Sequence, residues 1–228
     1  MAEPKAAAHP GRITARPLPK PAGSGKRGLE HRKGARAASI YVPATYDPAK
    51  PAPLIVVMHG AGGIGSRTIN LLVTHADRIG AIIVAPSSIG STWDAIGGEP
   101  GPDVERINAL LTEIFANYSI DPRHIALAGF SDGASYALTL GVINGDLFTH
   151  IIAFSPGYIG RAVATGFPRI FISHGTRDDV LPIDRCSRRI VPLLRARFEV
   201  DYREFNGGHT APADIVTGAM DWFLAAPH

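Results

Sequence analysis

The sequence predicts an α/β fold, a three-layer sandwich in which a mostly parallel sheet of about seven strands carries helices on both faces. Three observations lead there. Short apolar runs of strand length alternate with longer segments whose apolar residues recur at helical spacing. The runs are continuously apolar, as in strands buried on both faces. The residues best suited to chemistry, Ser131, Asp178 and His209, each follow the end of such a run, the edge where open α/β sheets build their sites.

Residues 1–36 precede the periodic pattern. They hold nine of the 23 Lys and Arg but two of the 20 acids, and prolines at 4, 10, 17, 19 and 21. Such composition buries little, so a disordered, solvated basic tail is expected, with no specific nucleic-acid partner. The high pI belongs to this tail. The remaining residues, 37–228, carry 14 basic and 18 acidic groups and form one domain.

Ala38–Pro43 reads as a strand and Tyr46–Pro51 as a turn. Pro53–His59 is a buried parallel strand. Ser66 can cap a helix to about Ile79, with Ile69, Leu72, Val73 and Ala76 on one face. Ala81–Ala85 is the next strand, and Asp103 begins a helix carrying Ile107, Leu110, Leu111, Ile114 and Phe115. His124–Ala128 is a strand, and Ala134–Val142 a helix. Strands at 150–154, 169–173 and 199–205 follow, with helices near 184–198 and 211–225. Pro192 predicts a kink or boundary in the first of these helices.

The chain is 228 residues long and 45% apolar, enough for one domain with a real core. It contains no apolar stretch of about 18 residues, so no membrane span is expected. The N-terminus lacks the apolar centre of a secretory signal, and the single cysteine, Cys186, cannot pair within the chain. A cytoplasmic location is the expectation. The histidines are scattered and no C-x-x-C occurs, so no metal site is expected.

Gly129-Phe130-Ser131-Asp132-Gly133 is a G-x-S-x-G at a strand-to-helix corner. This is a nucleophile elbow, a strained turn that exposes the serine hydroxyl. A serine that only caps the next helix would fit the same spacing. A hydroxyl needs a base, and His209, after Gly207-Gly208, has both the position and the flanking glycines. Asp178 is the acid expected to orient that histidine. Asp179 is its neighbour, and spacing alone does not separate the two. Ser…Asp…His is the chain order of α/β-hydrolases, unlike the orders of the chymotrypsin-like and subtilisin-like proteases.

An oxyanion hole would take one N–H from Asp132, at a helix N-terminus. The other would come from the loop His59-Gly60-Ala61-Gly62-Gly63, with Ala61 preferred and Gly62 close behind. His59, Gly62, Trp93 and Tyr158 are candidates to contact substrate; Trp93 could equally cover the core, His59 and His174 could each be structural hydrogen-bonding residues, and Tyr158 with Phe167 could line the pocket or a small lid. Gly60–Gly65 also matches G-x-G-x-x-G, a dinucleotide fingerprint. That reading needs an acid at the end of the next strand, and Ala85-Pro86-Ser87-Ser88 supplies none.

Residues 53–63, the elbow with Ala134, and His174-Gly175-Thr176-Arg177-Asp178 together resemble the α/β-hydrolase superfamily. More narrowly they are similar to its phospholipase/carboxylesterase branch, near polyhydroxybutyrate-depolymerase-like and feruloyl-esterase-like esterases. The resemblance covers about residues 36–225. It implies a three-layer α/β-hydrolase sandwich, and this chain is expected to depart from larger relatives in having no large cap domain. It also implies cofactor-free hydrolysis of small carboxylic esters by Ser131, Asp178 and His209, with Ala61 and Asp132 as the oxyanion hole. An acyltransferase using the same triad, or a non-catalytic binding protein on the fold, are the alternatives.

Overall fold

The structure, a computed structural model, describes residues 11–19, 21, 25–34, 37–94 and 101–226. Its strands are β1 (Gly28–Arg32), β2 (Ala38–Val42), β3 (Ala52–Met58), β4 (Ile82–Pro86), β5 (Ile120–Phe130), β6 (His150–Phe154), β7 (Arg169–Gly175) and β8 (Val200–Phe205). They form one sheet in the order β1-β2-β4-β3-β5-β6-β7-β8. β1 and β2 run antiparallel to their neighbours, and the other pairings are parallel.

The two-residue period of a strand divides the core into layers. On β3, Leu54, Val56 and Met58 face α3 (Pro102–Asn117) and α4 (Asp132–Ile143). Ile55 and Val57 face the opposite side, against α2 (Val73–Ile79) and α6 (Ala213–Leu224). Farther along, Ile151, Ala153, Ile170 and Ile172 pack between α4 and α5 (Ser187–Arg195). Helices therefore cover both faces of the sheet. Among the described residues no inserted cap domain overlies its C-terminal edge.

α3 begins with Pro102 in its first turn and carries Asp103 and Glu105 there, where acids favour the helix dipole. The expected helix 66–79 is instead split into α1 (Gly65–Thr68), a 3-10 turn (Ile69–Leu71) and α2. Leu72, at φ −120°, breaks the helix so that Ile69, Leu72, Ala76 and Ile79 all reach the core. α5 is shorter than expected, and it runs through Pro192 for three more residues rather than ending there.

The expectation of a disordered tail over 1–36 does not hold in its described part. Ile13 is fully buried, and its N–H donates to Asn144 Oδ1 at 2.8 Å. Arg12 makes a two-point ion pair with Asp146, at 2.8 and 2.7 Å. β1 pairs with β2 through backbone hydrogen bonds. These contacts come from single apolar and paired charged residues, which composition averages away. Residues 1–10, 20, 22–24, 35 and 36 lie outside the described residues.

Among the described residues, no helix is long and apolar enough to cross a membrane.

Candidate active site

β5 delivers the chain to Ser131, and α4 carries it away. Ser131 has φ 58° and ψ −123°, a backbone state that non-glycine residues adopt only under constraint. Glycines make the corner possible. A Cβ on Gly129 would run into the Gly133 carbonyl, and one on Gly133 into the carbonyls of Met58 and His59. The Ser131 N–H donates to the Phe154 carbonyl at 3.0 Å, which ties the elbow to β6.

The loops after β7 and β8 bring the other two residues to the same edge. His209 Nε2 lies 2.9 Å from Ser131 Oγ, and His209 Nδ1 lies 2.7 Å from Asp178 Oδ2. A carboxylate can only accept, so Nδ1 carries the proton and Nε2 is left to accept from the serine. Asp178 is buried, and its Oδ1 accepts the N–H groups of Val180 and Leu181 at 3.0 and 2.8 Å. Burial pushes its carboxyl up, but the Leu181 N–H, His209 and His174 outweigh this and hold it below the usual carboxylate range. Asp179, by contrast, is exposed. Phe130 packs against the His209 ring, with centroids 4.8 Å apart.

The glycine loop after β3 closes the site from the other side. A Cβ on Gly60 would sit 3.2 Å from Ser131 Cβ. The Gly62 N–H is taken by the Ser91 carbonyl at 2.7 Å, and the Gly63 N–H by the Gly60 carbonyl at 3.0 Å. Among the described residues, the Ala61 N–H has no such partner. Asp132 is the first residue of α4, where the N–H has no acceptor within the helix. Two N–H groups beside a serine–histidine–carboxylate chain are what acyl transfer requires.

The phospholipase/carboxylesterase family matches residues 103–224, just over half of the chain and the part that holds Ser131, Asp178 and His209. The chain belongs to this family. Feruloyl esterase C of Emericella nidulans is 29% identical over 154 residues, covering 64% of this chain and 56% of its own. A poly(3-hydroxybutyrate) depolymerase of Ralstonia pickettii is 29% identical over 137 residues, covering 49% of this chain and 27% of its own. The chain therefore spans little more than half the length of these relatives at most. In fold, a phospholipase/carboxylesterase from Dyadobacter fermentans superposes with a TM-score of 0.65 at 22% identity, covering 89% of this chain and all of its own.

Within this phospholipase/carboxylesterase-family chain, two expected substrate contacts are support residues instead. Trp93 is 1% exposed, stacks on Tyr136, and donates Nε1–H to the His59 carbonyl at 2.8 Å. His59 is also 1% exposed; its Nδ1–H donates to the Gly60 carbonyl at 2.7 Å and its Nε2 accepts the Ser88 N–H at 2.9 Å. Burial pushes the His59 pKa down, in keeping with this neutral ring. Both residues brace the glycine loop from beneath. Gly62 has given its N–H to Ser91, so it shapes the turn. Tyr158 is half-buried, and its phenol is pushed up to about 12 by burial and by the nearby Asp132 charge. It stays beside the site. Phe167 is 78% exposed and meets Arg197, in the loop between β6 and β7.

Further side chains hold the site residues; of these, position in the sequence allows a structural hydrogen-bonding role for His174 and gives no signal for Ser187, Thr92 or the Asp103 carboxylate. His174 is fully buried, with Nε2 2.8 Å from the Leu181 carbonyl and 3.2 Å from Asp178 Oδ2. Ser187 Oγ lies 2.6 Å from its Nδ1. Two histidines thus meet one oxygen of Asp178. Thr92 donates to Asp132 Oδ2 at 2.8 Å. Buried Asp103 accepts the N–H groups of Ile89 and Asp94, at 2.8 and 3.1 Å, pinning the loop that carries Ser91 and Trp93. Only the His-Gly-x-x-Asp spacing at 174–178 was a visible signal for any of them.

Proposed function

We propose that this chain is a serine esterase that cleaves carboxylic esters through an acyl-enzyme, with the described sheet and its helices, β1 and the segment around Ile13 included, as its catalytic unit. The observation that carries this reading is the position of His209, 2.9 Å from Ser131 Oγ and 2.7 Å from Asp178 Oδ2.

In the first half-reaction His209 Nε2 takes the Ser131 proton as Oγ attacks the ester carbonyl. The carbonyl oxygen gains negative charge and is held by the N–H groups of Ala61 and Asp132. Asp178 stabilises the imidazolium and keeps the ring oriented. The C–O bond to the alcohol then breaks, and the alcohol leaves with the proton from Nε2. Water, deprotonated by His209, attacks the acyl-serine. The acid departs and Ser131 recovers its proton.

Rapid mixing with p-nitrophenyl acetate tests this. A burst of nitrophenolate near one equivalent per site is expected when deacylation is slower than acylation. Ser131→Ala should remove the burst and lower turnover by about 10⁶-fold. A Ser131→Ala protein that keeps its full rate would contradict the proposal. Added alcohol that diverts product wholly to a new ester would redirect the reading to an acyltransferase.

A further inference from the structure

An open cleft of about 500 Å³ runs away from the site, with His209, Phe130, Leu71 and Ala211 among its walls and Arg67 and Asn70 on its polar side. This volume is in the range that holds small ligands. The chemistry gives the cleft a direction. If the chain is a serine esterase, as proposed above, His209 must hand a proton to the departing oxygen, so the alcohol half of the ester lies on the His209 side. The cleft is on that side. It also borders Gly60, which lies against Ser131.

The lining has an apolar part and a cationic part. Phe130, Leu71 and Ala211 are partly buried hydrophobics packed on the core. Arg67, on α1, is exposed, and among the described residues it has no carboxylate partner. Among the described residues that line it, none carries a carboxylate. A guanidinium is always charged and binds carboxylate or phosphate by two parallel hydrogen bonds.

We propose that this cleft is the alcohol subsite and that Arg67 selects esters whose alcohol half is a short apolar or aryl segment ending in an anionic group. Carboxylate and phosphate share the required chemistry. Asn70 can add a donor beside Arg67. Arg67 is a specificity-determining residue here and takes no part in bond making.

The test uses the full chain and matched acetate esters of benzyl alcohols. One carries a para carboxylate, one a para phosphate ester, and one a neutral para carboxamide. The benzyl half-ester of glutaric acid places the anion on the acyl side instead. Either anionic acetate should exceed the carboxamide in kcat/KM by about 10- to 100-fold, mainly through KM. The larger of the two ratios identifies which anion is preferred. In Arg67→Gln that ratio should fall to near one, and in Arg67→Lys it should fall only in part. Equal rates on charged and neutral acetates, an unchanged ratio in Arg67→Gln, or a preference confined to the glutarate half-ester would overturn the proposal. Turnover without preference sinks this inference alone. No turnover on any ester, together with no nitrophenolate burst, would sink the esterase reading beneath it.

Discussion

At the scale of single residues, the question left open by spacing was which of two adjacent acids faces His209. Asp178 is buried and takes His209 Nδ1–H, while Asp179 points to solvent. Asp178→Asn should therefore lower kcat by about 10⁴-fold, because an amide favours the wrong histidine tautomer. Asp179→Asn should change it little, and steady-state kinetics on one ester decides between them. The reverse pattern would refute the assignment. His174 offers a second residue-scale prediction. It shares Asp178 Oδ2 with His209, so His174→Ala removes a donor from a buried carboxylate. Turnover should drop about 10- to 100-fold. His174→Gln, which can still donate, should restore most of it and bring the pH–rate profile back toward that of the parent. Equal losses for both variants would mean that His174 only fills space.

At the scale of elements, the parts read correctly were those whose signal is local. The G-x-S-x-G corner, the continuous apolar runs of β3 and β4, and the 3.6-residue stripe of α3 carry their own evidence. What escaped depends on partners far along the chain. Position alone leaves Trp93 open between lining a pocket and covering the core, and its Nε1–H finds the His59 carbonyl 34 residues away. β1 carries charged residues on an exposed edge, so nothing but its pairing with β2 marks it as a strand. The bracing of the glycine loop has a measurable consequence. Trp93→Phe keeps the ring stack but leaves the buried His59 carbonyl without its donor, at a cost of about 1–3 kcal/mol. Because the oxyanion contact forms in the transition state, kcat should fall while KM changes little. A changed KM with constant kcat would contradict the bracing role.

At the scale of the whole molecule, the structure buries several histidines as neutral rings. His150 is 5% exposed and its pKa is pushed down to about 4, first by burial and then by Arg169 and His124. Burial also lowers His59 and His174. Between the ordinary histidine value of about 6.5 and the lowered one, the unfolded chain takes up protons that the folded chain refuses. Stability should therefore be full above pH 7 and fall as pH drops through that window. For His150 alone the loss between pH 7 and 4.5 is about 2–3 kcal/mol. Urea unfolding at several pH values measures this, and His150→Phe should flatten the slope. A pH-independent midpoint over that range would argue against neutral burial.

The proposed esterase chemistry requires that Ser131, His209 and Asp178 act as one assembled nucleophilic unit. Treating the intact protein with a fluorophosphonate and mapping the adduct by peptide mass spectrometry tests it most directly. A single adduct on Ser131 is expected, abolished in His209→Ala. A folded protein that stays unlabelled, or that is labelled equally well without His209, would contradict it.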